Sequence, residues 1–218
     1  MEDKYKELIY RDKSQVPEHL LKYYHQRNRL FSQYDQGILL DEESWYSVTP
    51  ELIAMQTAER CRCNVIVDAF CGVGGNAIAF AFTCEKVIAI DIDPIKIELA
   101  KHNAKIYCVD DRIEFINMNY IDWYNSYKRD YDIDIIFYSP PWGGIDYLDT
   151  FKLNNLKPVT GTELVKLAKS ITPNVCMFLP RNTTIEEISE LDERVEIEEN
   201  WMSGKFKAIT VYLGDFYN

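Results

Sequence analysis

From Asn64 onward, short apolar runs alternate with turns and amphipathic stretches, a rhythm that predicts a parallel sheet with crossover helices. Val65 to Val67 reads as a strand, and Asn76 to Cys84 as its helix. Val87 to Ile90 forms the next strand, after which Asp93 caps a helix opened by Pro94 that carries Ile95, Leu99 and Ile106 on one face. Ile113 to Ile116 gives a third strand. Ile133 to Tyr138 is an apolar run broken only by Asp134 and reads as a strand buried on both faces. Val175 to Leu179 gives a fifth, followed by Thr184 and Glu187 at capping-box spacing. Val195 to Trp201 and Phe206 to Leu213 then flank Ser203-Gly204, a hairpin pattern that implies antiparallel strands. The expectation is an α/β chain with five parallel strands and a closing hairpin, a mostly parallel seven-stranded sheet.

Ahead of Arg62 the pattern is helical. Leu20, Leu21, Tyr24 and Leu30 recur until Gly37 and an acidic turn interrupt them, and Thr49 before Pro50 predicts an N-capped helix through Leu52, Ile53 and Ala58. No Gly/Ser-rich linker, repeat or low-complexity tract separates the two zones. The expected organisation is a small helical N-terminal lobe over residues 1–62 that covers the active site of an α/β domain over residues 63–218.

Composition narrows the class. The 218 residues are 47% hydrophobic and 27% charged, the balance of a packed chain and not of a disordered one. No apolar stretch, Ala77 to Phe82 included, approaches the roughly 20 residues that span a bilayer. Met1 to Arg11 alternates acid and base without an apolar core, so neither a membrane span nor a secretory leader is expected and the chain should stay inside the cell. The six cysteines contain no C-x-x-C pair and the three histidines add no zinc pattern, which predicts free thiols and no metal. A net charge of -11 argues against non-specific coating of nucleic acid. Residues 1–34 nevertheless carry seven basic side chains against five acidic ones, so a small polyanion could dock there, although solvated helix faces explain the count equally well.

Three segments carry chemistry. The first, Asp68-Ala69-Phe70-Cys71-Gly72-Val73-Gly74-Gly75-Asn76, falls between the first strand and its helix, where ligands bind in doubly wound sheets. A tight turn alone would need one such glycine; three in four positions behind an acid point to a cofactor whose identity stays open at this step. The run departs from G-x-G-x-x-G and puts a carboxylate where dinucleotide folds place none, which weakens a nicotinamide reading. The second, Ile90-Asp91-Ile92-Asp93-Pro94, ends the next strand at a spacing that suits Asp91 to a ribose, while Asp93 serves as the helix cap. The third is Ser139-Pro140-Pro141-Trp142-Gly143-Gly144, where two prolines stiffen the backbone and an aromatic follows that can stack on a flat ring. A rigid turn with a packed indole is the plain alternative, but the flanking prolines and glycines offer that indole few neighbours.

Together these runs resemble the trimethylguanosine synthases, S-adenosylmethionine-dependent enzymes of the Rossmann-like class I methyltransferases. The resemblance extends from Tyr23-Tyr24-His25-Gln26-Arg27 through Trp45-Tyr46-Ser47-Val48-Thr49-Pro50 to Leu179-Pro180-Arg181-Asn182 and Gly214-Asp215. It implies N2 methylation of the 7-methylguanosine cap of small nuclear and nucleolar RNAs, giving 2,7-dimethyl- and 2,2,7-trimethylguanosine. It further implies that Ser139, Pro140 and Trp142 orient the reacting amine, and that Phe31, Thr49, Asp68, Cys71, Gly72, Gly74 and Asp91 line the S-adenosylmethionine pocket. Ser47, Asn76 and Trp142 would hold the guanine, and Lys22, Tyr147 and Arg181 the cap phosphates, with Lys205 and Lys207 as weaker additions.

One position departs from the family's pattern. Asn119 stands where an aspartate usually accepts from the adenine amino group, and its amide oxygen would accept without charge assistance. The long N-terminal extension of some relatives is not expected in this chain. By the same resemblance the enzyme would be a nuclear monomer, also present in the cytoplasm, needing capped RNA but no metal. The rival readings are an amino-group methyltransferase acting on adenine N6 or ribosomal guanine N2, and a cap-binding module without activity.

Overall fold

The computed structural model describes residues 5, 8, 10, 12–127, 130, 132–143, 151–157 and 159–216. Strands β1 (Val65–Asp68), β2 (Lys86–Asp91), β3 (Ile113–Asn117), β4 (Ile135–Tyr138) and β5 (Asn174–Pro180) are parallel, and β6 (Val195–Met202) and β7 (Lys205–Leu213) are antiparallel. They form one sheet in the order β3-β2-β1-β4-β5-β7-β6, so the direction of winding reverses between β1 and β4. The hairpin's second strand, not its first, joins the parallel part. The reason is written in the side chains: β7 buries Ala208 to Leu213, whereas β6 carries Glu196, Glu198 and Glu199 and takes the edge, where charge discourages further pairing. Ser203 and Gly204 close the turn with φ of 53° and 71°, the left-handed pair that a two-residue hairpin requires.

Two hydrophobic layers cover the sheet. One face packs against α1 (Leu21–Tyr24), α2 (Arg27–Leu30), α3 (Ser44–Ser47), α4 (Glu51–Arg60), α5 (Gly75–Ala81) and α6 (Pro94–Ile106), with Ile53, Phe80, Leu99 and Trp45 among the buried side chains. The other packs against α7 (Tyr120–Ser126), α8 (Gly161–Lys169) and α9 (Ile185–Ser189), burying Trp123, Leu164 and Ile188. Asp93 caps α6 through the Ile95 amide at 2.8 Å with Pro94 at the first helical position, and Thr184 and Glu187 form the reciprocal capping box of α9.

The helical pattern ahead of Gly37 is met by short elements, α1, α2 and several 3-10 turns, around Tyr24, Tyr34 and Trp45, which pack on each other with the Tyr34 and Trp45 rings 5.4 Å apart. Three expectations are corrected. Thr49 does not cap α4, since its hydroxyl accepts instead from Asn76 Nδ2 at 3.1 Å; extended Pro50 precedes the helix with no side-chain cap. Strand β4 starts at Ile135, not Ile133, because the Asp134 carboxylate turns back to accept from the amides of Asn64 and Val65 at 3.0 and 2.8 Å. In α6 the inward positions are Ile97, Leu99 and Ala100, while Ile95 faces solvent on the first turn.

Candidate active site

A cleft of about 410 Å³ opens at the carboxyl ends of β1, β2 and β4, where the strand order reverses. Such switch points are where open α/β sheets bind ligands, because the loops from neighbouring strands diverge there. Phe70 to Val73, with Gly75 and Asn76, supplies one side, Asp91 to Asp93 with Lys96 another, and Ser139 to Trp142 a third. The N-terminal segment closes the fourth with Tyr23 and with Glu43, Ser44 and Tyr46 to Thr49.

The glycine turn owes its shape to backbone needs. Gly74 sits at φ 93° ahead of α5, and a Cβ there would meet the Cβ of Ala100 at 3.2 Å, so only glycine lets α5 lie against α6. A Cβ on Gly72 would meet nothing within 4 Å, which leaves open cleft above that residue. The Gly72 amide donates to Asp91 Oδ2 at 2.8 Å and the Asp93 amide to Asp91 Oδ1 at 2.9 Å, so the carboxylate is aimed by two backbone groups. Burial raises the Asp91 carboxyl, with these amides and nearby Lys96 pulling the other way.

Asp68 is the buried acid beneath the cleft. It has no exposed surface, and among the described residues no donor meets either carboxylate oxygen in good hydrogen-bond geometry, the nearby Phe70 and Ala77 amides interacting only weakly with it. Burial, then the Asp91 carboxylate, push its carboxyl up to about 8, against the opposing pull of the Phe70 and Ala77 amides. An orphaned carboxylate is costly in the interior, and a cationic amine beside it would supply the missing donors. The residues present therefore fit a cofactor carrying an ammonium group and a ribose.

Ser47, Thr49, Cys71, Gly72, Asn76, Asp91, Ser139, Pro140 and Trp142 line the cleft together. The half-buried Trp142 ring packs against Phe178, with centroids 5.4 Å apart. Other expected residues lie elsewhere. Phe31 is buried in the core against Tyr107, 6.2 Å between centroids. Asn119 is outside the lining, and its Oδ1, the atom assigned to the adenine amino group, accepts from the Ile121 amide at 2.8 Å as the N-cap of α7. Exposed Lys22 rests its ammonium over the Tyr23 ring at 4.8 Å, on the cleft's rim. Arg181 donates to the Phe206 carbonyl at 3.1 Å, and Lys205 and Lys207 lie on β7 next to it. Tyr147 lies outside the described residues.

Sequence reasoning missed Lys96 and Glu43, which form an ion pair across the cleft's edge and tie α6 to the segment leading into α3. Burial lowers the Lys96 ammonium, but Glu43 outweighs it and the net shift is upward. Asn103 was missed too. Fully buried, it exchanges hydrogen bonds with Leu39 and donates to the Val73 carbonyl at 3.0 Å, fastening the N-terminal segment to the glycine turn. A polar residue on the inner face of α6 was the available signal; its partners were not visible.

A parallel sheet with an acid and glycines after β1, a paired acid after β2 and a proline-stiffened corner after β4 defines a Rossmann-like S-adenosylmethionine-dependent methyltransferase. A family model for RNA cap guanine-N2 methyltransferases matches residues 63–216, and the chain belongs to that family, whose activity is N2 methylation of cap guanosine. The trimethylguanosine synthase of Schizosaccharomyces pombe is 43% identical over 209 residues, covering 90% of this chain and 87% of the relative. That of Saccharomyces cerevisiae is 39% identical over 186 residues, covering 81% of this chain and 59% of the relative. A solved structure from Porphyromonas gingivalis W83, assigned as a methyltransferase, superposes with a TM-score of 0.72 at 12% identity over 96% of this chain and 53% of that one, a likeness of fold. Among the described residues no helix is long and apolar enough to cross a membrane.

Proposed function

We propose that the chain adds two methyl groups to N2 of a 7-methylguanosine cap on small nuclear and nucleolar RNAs, in the nucleus. The N-terminal segment over residues 1–62 would act as a lobe that closes the cleft of the domain over residues 63–218. The observation that carries this reading is the convergence of Ser139, Pro140 and Trp142 with Gly72 and Asp91 in one cleft.

S-adenosylmethionine supplies an electrophilic methyl group. Asp91 would take the ribose hydroxyls, and Asp68, with its orphaned oxygens, the ammonium. The guanine N2 amine is neutral and loses its proton only after the new bond forms, so the site needs orientation more than a strong base. Backbone carbonyls of the Ser139-Pro140 corner would accept from the amine and turn its lone pair toward the donor side of the cleft. Holding reactants in such a pose can contribute roughly 7–11 kcal/mol. Trp142 fixes the ring plane, and Ser47 and Asn76 approach the guanine edge from the lobe and from α5. N7 methylation makes the purine cationic, so an indole face favours it by about 2 kcal/mol in a desolvated site. Lys22, Tyr147 and Arg181 would hold the cap phosphates.

Mass analysis of a 7-methylguanosine dinucleotide incubated with enzyme and S-adenosylmethionine tests the reading. Two added methyls are expected, and none with Trp142→Ala. Equal transfer to an unmethylated cap or to adenine would overturn it in favour of a different amino-group substrate.

A further inference from the structure

We propose that the tip of the β6-β7 hairpin is a second RNA site, one that stacks and holds single-stranded nucleotides just downstream of the cap. The inference rests on the cap reading above and extends it to the RNA body. Trp201 is 57% exposed and stacks on Phe206, with ring centroids 5.3 Å apart and planes 25° apart. One indole face is thus covered and the other is open to solvent. The Glu199 carboxylate accepts from the indole Nε1 at 2.9 Å, which fixes the orientation of the ring. An exposed, oriented aromatic is a sequence-tolerant platform for a nucleobase, since every base has a flat face.

The charge around it fits phosphate. Arg181 donates to the Phe206 carbonyl at 3.1 Å, Lys205 and Lys207 flank Phe206 along β7 at the hairpin tip, and none of the three forms an ion pair among the described residues. The carboxylates of the neighbouring strand are engaged: Glu196 by both Arg60 nitrogens at 2.6 and 2.7 Å, Glu198 by the Tyr212 hydroxyl and Gln56, and Glu199 by the indole. Three cations without ion-pair partners at the hairpin tip, against the Glu199 carboxylate on the indole itself, mark in a chain of net charge -11 a local polyanion site and not a general affinity.

Its position fits a strand leaving the cleft. Because β7 runs antiparallel to β5, the tip lies at the same end of the sheet as Ser139, with Pro180 paired to Ala208 and Trp201 to Phe206. From β4 to β6 is three strand spacings, roughly 14 Å. That is the reach of a cap triphosphate followed by the first nucleotides, and Arg181 lies between.

The test is fluorescence anisotropy with a labelled 7-methylguanosine-capped hexanucleotide and, for comparison, a capped dinucleotide, with KM measured for both. Trp201→Ala is expected to weaken the hexanucleotide and raise its KM roughly tenfold, leaving the dinucleotide unchanged. Trp201→Phe should retain most of the affinity. Lys205→Ala with Lys207→Ala should flatten the salt dependence of hexanucleotide binding by roughly one unit of slope. Equal affinity of intact enzyme for the two RNAs, or a hexanucleotide affinity untouched by Trp201→Ala, overturns the proposal and leaves the patch to a protein partner. Hexanucleotide binding lost in Trp201→Ala without any methyl transfer by the intact enzyme would sink the cap reading and keep this one.

Discussion

The carboxyl of Asp68, sealed beneath the cleft, is held up to about 8 by burial and by the carboxylate of Asp91 on the adjacent strand. The ordinary value of the group is 3.8. An acid raised on folding adds stability below its unfolded value and loses it as pH climbs through the folded one, so ligand-free protein should lose stability between about pH 4 and 8. The melting temperature is expected to fall by roughly 5 °C or more across that window, and Asp68→Asn should remove much of the slope. A parallel slope in Asp68→Asn would assign the titration to another group. The same variant should bind S-adenosylmethionine poorly, because an amide cannot balance an ammonium.

Trp142 sets the discrimination between caps. Its ring is supported from behind by Phe178 and borders the cleft. Trp142→Phe keeps a flat face with a weaker quadrupole, and should reduce the preference for 7-methylated over unmethylated cap by ~10-fold in kcat/KM while leaving the KM for S-adenosylmethionine unchanged. Competition between the two caps in one reaction, read by mass analysis, gives the ratio directly.

What could be read from sequence was local, and what could not was distant. Asp91 and Gly72 sit on consecutive βα turns, so their roles follow from strand ends and glycine spacing, and the structure joins them at 2.8 Å. The hairpin was visible through Ser203-Gly204, but the insertion of β7 between β5 and β6 follows from which strand is apolar, a comparison of whole faces. Lys96 and Glu43 are 53 residues apart, and Asn103 and Leu39 are 64, so no periodicity announces either contact. Thr49 satisfied every local rule for a cap, and a buried asparagine from α5 claimed its hydroxyl instead.

Asn119 separates a capping role from a cofactor role. Its Oδ1 holds the Ile121 amide at the start of α7, and removing such a cap costs about 1 kcal/mol. Asn119→Ala should therefore lower the melting temperature by ~3 °C with little change in the KM for S-adenosylmethionine. Asn119→Asp keeps the cap and should restore stability. If it also lowered that KM tenfold, the side chain would reach the adenine as the family resemblance implies.

The ion pair of Lys96 with Glu43 is expected to govern how tightly the N-terminal segment closes on the cofactor. Glu43 is half exposed, with 48% of its side chain accessible, whereas Lys96 keeps 16%, so the two partners should not be equivalent. Losing Glu43 removes one surface contact, for which screening by solvent limits the effect. Losing Lys96 removes that contact and also the cation that draws down the Asp91 carboxyl, leaving Asp91 with Asp93 nearby and less able to stay ionised. The KM for S-adenosylmethionine should rise ~3-fold in Glu43→Gln and ~10-fold in Lys96→Met. Raising salt from low to moderate ionic strength should increase that KM in the intact enzyme and leave Glu43→Gln nearly flat, because the screened interaction is already gone. Equal effects of the two substitutions, or an unchanged salt response, would mean that this ion pair does not govern how the segment closes.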